Sequence, residues 1–512
     1  EGTLPGTGDS PGGADLWGVG GGESLKRGGG DCGGKKSLEI SGSRRQTPRF
    51  MNTQLPNPFA APEINRRDFL RHSSTATVVA TMAGGALAGA RSGAAEAPAA
   101  GEKKKVVPVN IGVIGCGAWG RDTVKTLAQL PSARVLGVAE HYEPFLNRAK
   151  EAAPNAEGYS DYKQLLANKE IKAVVICTPT HQHKQVVMEA LAAGKHIYCE
   201  APLANSIDEA REIVKAAKAH VGQVFQPGLQ HRSDPQRHFL LGFIRSGAAG
   251  RIFKARSQWH KKESWRRTSP NAEREQEVNW RLRGNVSLGL VGEIGLQHLD
   301  NASWFLKAEP VAVSGYGSIQ LWSDGRDVAD TAQVTVEYPE NVLVNFEATL
   351  ANSFDGDHEV YYGSDSGVMV RKNKAWMFRE ADAPLLGWEV YARKDAFYNE
   401  LGIALVANAT KLVAQGEKPA EEAPYANTPL FYGLEAFLHN TRTVADGVAD
   451  FAENFDIKDT KALAEYVDSL HGALMPAATA IEGFRATVLA IKANEAVVKQ
   501  QRIPLSKEWF AL

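Results

Sequence analysis

A glycine-rich turn between a strand and a helix constrains the fold of this chain more than any other feature. An apolar run, Val109–Ile114, leads into the sequence GCGAWG at 115–120, and a helical pattern follows. In a Gly-x-Gly-x-x-Gly turn the first glycine permits a tight turn, the second lets the backbone approach a pyrophosphate, and the third lets helix and strand pack closely. The free N–H groups that begin the helix then face the phosphates. The turn predicts a dinucleotide-binding domain whose cofactor contacts include Gly115, Gly117, Ala118, Trp119 and Gly120.

An acidic residue at the end of the second predicted strand indicates which dinucleotide binds. Ala133–Ala139 has the pattern of that strand, and Glu140 follows it, twenty residues past Gly120. A carboxylate at this place holds the ribose hydroxyls of NAD and repels the 2′-phosphate of NADP. We predict NAD as the cofactor because no arginine directly follows Glu140. His141 and Tyr142, which do follow it, leave NADP as the alternative.

The pattern of strands and helices predicts two domains. From 107 to 228 short apolar strands alternate with helices, which is typical of a doubly wound parallel Rossmann sheet. From 229 to 512 several strand-like segments alternate polar and apolar residues, and helices are predicted at 390–415 and 428–500. We therefore expect a second, α+β domain with a mainly antiparallel open sheet, which binds the substrate. With 512 residues, 43% of them apolar, the chain can bury both cores.

The N-terminal hundred residues do not have the pattern of a fold. Residues 1–50 are rich in glycine and lack periodicity, which predicts a disordered leader, or a start placed too far upstream of Met51. Within 51–98, the pair Arg66 and Arg67 precedes a short apolar run and small residues, and this segment resembles a twin-arginine signal peptide. The run is too short and too rich in Gly and Ala for a good transmembrane helix. We expect export to the periplasm and no membrane insertion.

Charge and cysteine content argue against several classes of protein. The formal net charge is −1 and the isoelectric point is 7.0, so no overall field favours nucleic acid as a partner. Cys32, Cys116, Cys177 and Cys199 show no C-x-x-C grouping and no even spacing. We predict neither a disulfide framework nor a metal site.

Further motifs follow the glycine-rich turn in a definite order. They are YSDY at 159–162, TPTHQH at 178–183, GKHIYCEAPL at 194–203, GAAGRI at 247–252 and EIGLQHLD at 293–300. Together they resemble the Gfo/Idh/MocA oxidoreductases, a family that acts on sugars, cyclitols and their derivatives. The resemblance implies that Thr178, Pro179, His183 and Glu200 lie at the cofactor, and that the helix after Glu293 carries the catalytic side chain.

Two positions depart from the family pattern. Ala201 stands where the family has a lysine that reaches the nicotinamide ribose and the reacting hydroxyl, so a cationic donor and acid–base candidate is missing. Gln297 stands where the family has its histidine, and an amide can orient a hydroxyl but cannot take its proton. The neighbouring His298 should point elsewhere, because one position on a helix is a rotation of about 100°.

The remaining polar residues near these motifs are candidates for the chemistry. The catalytic candidates are His298, Glu293, Gln297 and Glu200, and the substrate-binding candidates are Arg232, Trp280, Arg281 and Asp300. Arginine binds hydroxyls or carboxylates, and aromatic faces stack on the C–H surfaces of sugars. A hydrogen-bonded scaffold role is the alternative for His298, and a plain helix-terminal acid is the alternative for Glu293.

Three functions remain open at this point. The leading hypothesis is an exported NAD-dependent oxidoreductase that transfers a hydride from a sugar, polyol or cyclitol derivative. The second is an NAD-retaining glycosidase that oxidises its sugar transiently. The third is a nucleotide-binding protein that has lost catalysis, which agrees with Ala201 and Gln297. By analogy with the family we expect a homo-oligomer.

Overall fold

The computed structural model describes residues 107–397, 400–405 and 425–512. The predicted leader at 1–50 and the predicted signal peptide at 51–98 lie outside the described residues. Among the helices of the described ranges, none is long and apolar enough to cross a membrane.

The first domain is built on a six-stranded sheet in which every neighbouring pair of strands is parallel. The strands are β1 (Val109–Ile114), β2 (Ala133–Ala139), β3 (Glu157–Tyr159), β4 (Ala173–Ile176), β5 (His196–Cys199) and β6 (Phe225–Pro227), in the order β3-β2-β1-β4-β5-β6. The helices between them are α1 (Ala118–Ala128), α2 (Glu143–Ala152), α3 (Tyr162–Ala167), α4 (His183–Ala192) and α5 (Ile207–Ala219). The predicted Rossmann sheet is confirmed. The strand order reverses between β1 and β4, and open α/β sheets bind ligands in the crevice at the carboxyl ends of such strands.

The second sheet has ten strands. They are β7 (Ile252–His260), β8 (Ala312–Ser318), β9 (Thr331–Glu337), β10 (Leu343–Thr349), β11 (Asp357–Gly363), β12 (Ser366–Arg371), β13 (Lys374–Arg379), β14 (Lys394–Phe397), β15 (Glu400–Ala404) and β16 (Arg502–Pro504). Their order is β14-β15-β13-β12-β11-β7-β10-β9-β8-β16, and all neighbours are antiparallel except β7 and β10. The mainly antiparallel sheet is therefore confirmed.

The helix predicted at 390–415 is wrong where the structure describes that segment. Residues 394–397 and 400–404 form β14 and β15, which pair with each other and, through β15, with β13. Pairing with a sheet edge is a tertiary interaction that overrides local helical preference.

The last helices of the chain pack back on the first domain. The second domain contains α6 (Pro235–Arg245), α7 (Ala272–Val278), α8 (Gly289–Glu293), α9 (Gly295–Leu306), α10 (Pro429–Asn454), α11 (Thr460–Ser469) and α12 (Ala480–Lys499). Leu434 and Phe437 of α10 are buried in the Rossmann core. On α12, Phe484 belongs to the Rossmann core while Leu489 and Val497 belong to the core of the second sheet. Because α12 is shared in this way, it holds the two sheets together across the crevice.

Candidate functional site

The glycine-rich turn has the geometry that a pyrophosphate needs. Gly115 has φ of +89°, and a Cβ on it would lie 2.8 Å from the carbonyl carbon of Cys177. A Cβ on Gly120 would lie 1.9 Å from the carbonyl oxygen of Gly115, which explains why helix and strand need a glycine there. A Cβ on Gly117 would meet no heavy atom within 4 Å, so its backbone faces open space. Gly117 is also the N-cap of α1, where no side chain of the described residues caps the helix. Its free N–H groups, from Ala118 onward, can therefore face an anion.

Glu140 lies at the end of β2 as an ionised carboxylate. Its Oε2 accepts a hydrogen bond from the Cys116 amide at 3.0 Å, and its Oε1 accepts one from the Tyr142 amide at 3.0 Å. Burial raises the pKa of Glu140, but hydrogen bonds from His141, Tyr142 and Cys116 outweigh it and hold the pKa below its ordinary value. A fixed negative charge beside the glycine turn fits a ribose diol and opposes a 2′-phosphate.

Glu200 is a half-buried residue that directly follows β5. Burial raises its pKa to about 7, against the hydrogen bonds from the Trp119 side chain and the Ala201 backbone and the charge of Arg281. Its Oε1 is buried and has no hydrogen-bond partner among the described residues. A carboxyl group with a pKa near neutrality can accept or donate a proton at physiological pH.

Glu293 ends α8 and is attracted by the same guanidinium as Glu200. Its Oε2 accepts a hydrogen bond from Thr180 Oγ1 at 3.1 Å, and its Oε1 accepts one from the Leu288 amide at 3.1 Å. Burial raises the pKa of Glu293, and the charge of Arg281 opposes the increase. Within the part of the chain that the structure describes, Arg281 forms no ion pair, and its buried Nε has no hydrogen-bond partner.

Gln297 is hydrogen-bonded to the backbone of Gly228, which in turn lies against Glu200. Its Nε2 donates a hydrogen bond to the Gly228 carbonyl at 2.7 Å, and its buried Oε1 has no partner among the described residues. A Cβ on Gly228 would lie 2.7 Å from Glu200 Oε2. Arg281 and Gly228 therefore connect Glu200, Glu293 and Gln297 into one group, which we call the carboxylate cluster.

Aromatic rings flank the carboxylate cluster. The Arg281 guanidinium lies 5.1 Å from the ring centroid of Trp280 and 5.7 Å from that of Trp265. The Trp280 ring is in turn 6.0 Å from the ring of His181. The structure thus brings two predicted substrate residues, Trp280 and Arg281, to the predicted catalytic carboxylates.

Ala201 lies in apolar surroundings. Its side chain packs against a small cluster made of Leu229, Leu296, Ala478, Ala486 and Ala490. Ala201, in the first domain, therefore faces methyl and methylene groups contributed by the second domain.

His298 faces the second sheet instead of the carboxylate cluster. Its Nδ1 lies 3.0 Å from Glu359 Oε1, its Nε2 lies 3.5 Å from Asp357 Oδ1, and its ring stacks on Phe346. Burial lowers the pKa of His298, but the two carboxylates outweigh it and raise the pKa above its ordinary value. The rotation between adjacent helical positions, about 100°, accounts for the different directions of Gln297 and His298. A catalytic role for His298 stays a prediction.

Arg232 and Asp300, both predicted to bind substrate, bind each other. Arg232 Nε is 2.8 Å from Asp300 Oδ2, and its Nη2 is 2.8 Å from Asp300 Oδ1. Its Nη1 is 2.5 Å from Glu482 Oε1 on α12, and Trp304 covers the guanidinium at 4.9 Å. Arg232 thus connects Asp300 on α9 with Glu482 on α12. Because these contacts already use its donors, Arg232 could bind substrate only after the ion pair opens. A substrate contact of Arg232 or Asp300 stays a prediction.

His183, predicted at the cofactor, connects two backbone loops. Its Nδ1 lies 2.9 Å from the Pro202 carbonyl and its Nε2 lies 2.9 Å from the Thr178 carbonyl. Burial lowers its pKa to about 4, so the ring is neutral at physiological pH. Thr178 and Pro179 follow β4 directly beside the glycine turn, since a Cβ on Gly115 would lie 2.8 Å from the Thr178 amide nitrogen. His183 therefore positions the loop that approaches the nucleotide.

The motifs did not reveal a polar contact beside Glu140. His141 Nε2 lies 3.1 Å from Glu277 Oε2, and Arg274 lies 4.4 Å from the ring centroid of Tyr142. Both charged residues belong to the short helix α7, which comes from the second domain. Charged residues on a short helix carry no local signal for such a contact, so the structure was needed to find it.

Family models match both domains. Residues 109–228 match the model described as an oxidoreductase family with an NAD-binding Rossmann fold, and residues 241–366 match the GFO/IDH/MocA C-terminal domain. These two segments, which make up just under half of the chain, are thus similar to the GFO/IDH/MocA oxidoreductases. The first is an NAD-binding domain, and the open glycine turn, the free start of α1 and the ionised Glu140 fit that cofactor.

Named relatives are similar over part of their length. Inositol 2-dehydrogenase 2 of Saccharopolyspora erythraea is 29% identical over 243 residues, which is 47% of this chain and 66% of that protein. Inositol 2-dehydrogenase of Burkholderia multivorans is 37% identical over 147 residues, which is 28% of this chain and 43% of that protein. The chain thus matches less than two thirds of the length of either relative.

Solved structures show the same fold over most of their length. A levoglucosan dehydrogenase in complex with NADH and levoglucosan aligns with a TM-score of 0.57 and 17% identity, over 78% of this chain and 99% of that one. The apo scyllo-inositol dehydrogenase of Lactobacillus casei aligns with a TM-score of 0.52 and 17% identity, again over 78% and 99%. At such identity the likeness concerns the fold.

Proposed function

We propose that this protein is an NAD-dependent oxidoreductase that removes a hydride from a secondary alcohol of a cyclic polyol or sugar. The carboxylate cluster carries the proposal, because it joins a proton acceptor to an open Rossmann crevice. Glu200 follows β5 in the same parallel sheet in which the glycine turn follows β1. The names inositol 2-dehydrogenase and levoglucosan dehydrogenase among the similar proteins support a hydroxyl-bearing ring as substrate.

The nucleotide site uses residues of the first domain. Gly117 and the start of α1 would hold the pyrophosphate, and Glu140 would hold the adenosine ribose. When bound, NAD supplies the nicotinamide ring that accepts a hydride from the carbinol carbon.

The carboxylate cluster would handle the proton of the same alcohol. As the carbon loses its hydride and the carbonyl forms, the hydroxyl proton has to pass to a base. Glu200 is suited to that step because its pKa is about 7 and its Oε1 has no other partner in the described chain. Gln297 Oε1 and the Arg281 guanidinium would orient the hydroxyls, and the face of Trp280 would pack against the ring.

The substitution Glu200→Gln tests this assignment. We expect kcat for polyol oxidation, followed by NADH absorbance over a panel of inositols and sugars, to fall by about 10²–10⁴-fold, because a general base is lost. Glu151→Gln, an exposed substitution on α2, serves as the control and should leave kcat unchanged.

Two other results would replace the proposal. Cleavage of a glycoside without net formation of NADH would indicate the transient-oxidation glycosidase. Tight NADH binding with neither reaction would indicate a nucleotide-binding protein without catalysis.

We further propose that the protein is exported and forms a homo-oligomer. The pair Arg66 and Arg67, with Phe69 and Leu70 after it, supports the twin-arginine route. Exposed apolar side chains on strands of the second sheet support contact between copies; they include Phe253, Tyr316 and Leu343. Light scattering on the purified protein would measure the number of copies.

A further inference from the structure

One segment of the second domain, Lys261–Leu288, connects β7 to α8 and contains α7. Trp265, which is 7% exposed, packs in the core of the second domain and holds the segment to it. Hydrogen bonds also join the two halves of the segment to each other. Asn279 Oδ1 accepts a hydrogen bond from the Arg267 amide at 2.6 Å, and Asn279 Nδ2 donates one to the Arg267 carbonyl at 2.9 Å. The segment is thus a closed loop with its own internal hydrogen bonds.

The segment contacts the first domain at the carboxyl end of β2. The His141 ring bridges two carboxylates, with Nδ1 at 3.1 Å from Glu140 Oε1 and Nε2 at 3.1 Å from Glu277 Oε2. Arg274 contacts Glu277 and covers the ring of Tyr142 at 4.4 Å. The residue assigned to the adenosine ribose, Glu140, is therefore linked to α7 through one side chain.

The same segment also contacts the loops that follow β4 and β5. Trp280 lies against His181, with ring centroids 6.0 Å apart. Asn205 Nδ2 donates a hydrogen bond to the Val286 carbonyl at 3.4 Å. The charge of Arg281 acts on Glu200 at the end of β5.

These contacts lie on both sides of the crevice. In the strand order β2-β1-β4-β5, the outer two strands are three inter-strand spacings apart, or about 14 Å. The crevice between them, at the reversal of strand order, is where a dinucleotide binds in such sheets. A segment that contacts the ends of β2, β4 and β5 therefore extends across the nucleotide site from the adenosine side to the carboxylate cluster.

We propose that the 261–288 segment closes over the bound dinucleotide and retains it, with Arg274 and Glu277 as the residues that fasten its adenosine side. Release of the nucleotide then requires these contacts to open first. None of the residues of α7 is buried, so the helix can detach without disrupting a core. The inference rests on the nucleotide site of the proposed function and is independent of the substrate.

The rate of nucleotide release tests the proposal. The purified protein is loaded with NADH, excess ADP-ribose is added, and the loss of NADH fluorescence gives the dissociation rate. We expect Arg274→Ala combined with Glu277→Ala to raise that rate by about tenfold or more, since two polar contacts across the crevice are lost. Glu273→Ala serves as the control, because Glu273 is an exposed acid on the same helix.

A second measurement uses the parent protein alone. Amide hydrogen exchange across residues 272–278 should slow when NADH is added, because the segment then closes over an occupied crevice. Slower exchange, together with faster release in the double variant, supports the proposal.

The contrary results are distinct. Equal release rates in the double variant and the Glu273→Ala control overturn the closure while leaving NAD binding intact, and unchanged exchange at 272–278 overturns it as well. Absence of NADH binding in the parent and both variants would overturn it together with the nucleotide assignment.

Discussion

Replacing Glu200 by glutamine should stabilise the folded protein at alkaline pH while lowering the proposed polyol oxidation. Folding buries this carboxyl group, and burial raises its pKa from the ordinary 4.5 to about 7. A difference of about 2.5 units at 1.36 kcal/mol per unit means that the ionised form costs the folded state about 3 kcal/mol. Glutamine has a similar shape and carries no charge, so the variant avoids that cost.

The pH dependence follows from the sign of this shift. Because the pKa of Glu200 is higher in the folded than in the unfolded state, its contribution to stability is fully present below 4.5 and is lost as the pH rises through about 7. The free energy of unfolding of Glu200→Gln minus that of the parent should therefore increase by about 3 kcal/mol from acid to alkaline pH.

Urea unfolding of the nucleotide-free protein at about pH 5 and about pH 8 measures most of this difference, since the carboxyl group of the unfolded chain is already largely ionised at about pH 5. The exposed Glu151→Gln variant should show no such change between the two pH values. A stability difference between Glu200→Gln and the parent that is the same at both pH values would refute the reasoning, because it would mean that Glu200 titrates as in water. In the same preparations the proposed polyol oxidation should be lower in Glu200→Gln than in the parent, so that stability and activity change in opposite directions.

Three further substitutions test other parts of the structure. Glu140→Ala should weaken NAD binding by about 1.5–3 kcal/mol, since a charged hydrogen-bond acceptor is lost. Titration of the parent protein with both nucleotides should show that NAD binds more tightly than NADP. Tighter binding of NADP would contradict the role of Glu140. Ala201→Lys should lower the free energy of unfolding by about 1–3 kcal/mol, because a long cationic side chain enters a packed apolar cluster, and unchanged urea unfolding would show that the cluster can open. Replacing Arg66 and Arg67 by lysine should leave the precursor in the cytoplasm, as fractionation would show, and unchanged export would disprove the twin-arginine route.

The local sequence was sufficient for the first domain. The bounds predicted for β1 and β2 agree with the structure, and the glycine turn between β1 and α1 has the conformation that its three glycines predict. Rossmann strands and the turns after them are determined by residues that are close in sequence, so periodicity and glycine spacing are enough to locate them. The edge strands at 394–397 and 400–404 were missed because their conformation depends on a neighbouring strand.

The tertiary structure decided what the candidate residues do. Gln297 and His298 are adjacent in sequence, yet one reaches Gly228 and the other reaches Glu359. Arginine is a residue type that often binds substrate hydroxyls or carboxylates. The donors of Arg232, however, bind Asp300 and Glu482, which are 68 and 250 residues away in the sequence.

The sequence by itself determined which chemical groups this protein has: a nucleotide-binding turn, an acid after β2, the carboxyl groups of Glu200 and Glu293, and the uncharged Ala201 and Gln297. Only the folded chain decided which of those groups are buried, paired or unpartnered. Burial and pairing depend on helices such as α7 and α12, which approach the crevice from distant parts of the chain. Spacing within one motif carries no information about such contacts, nor about the burial that raises the pKa of Glu200 and leaves its Oε1 without a partner among the described residues.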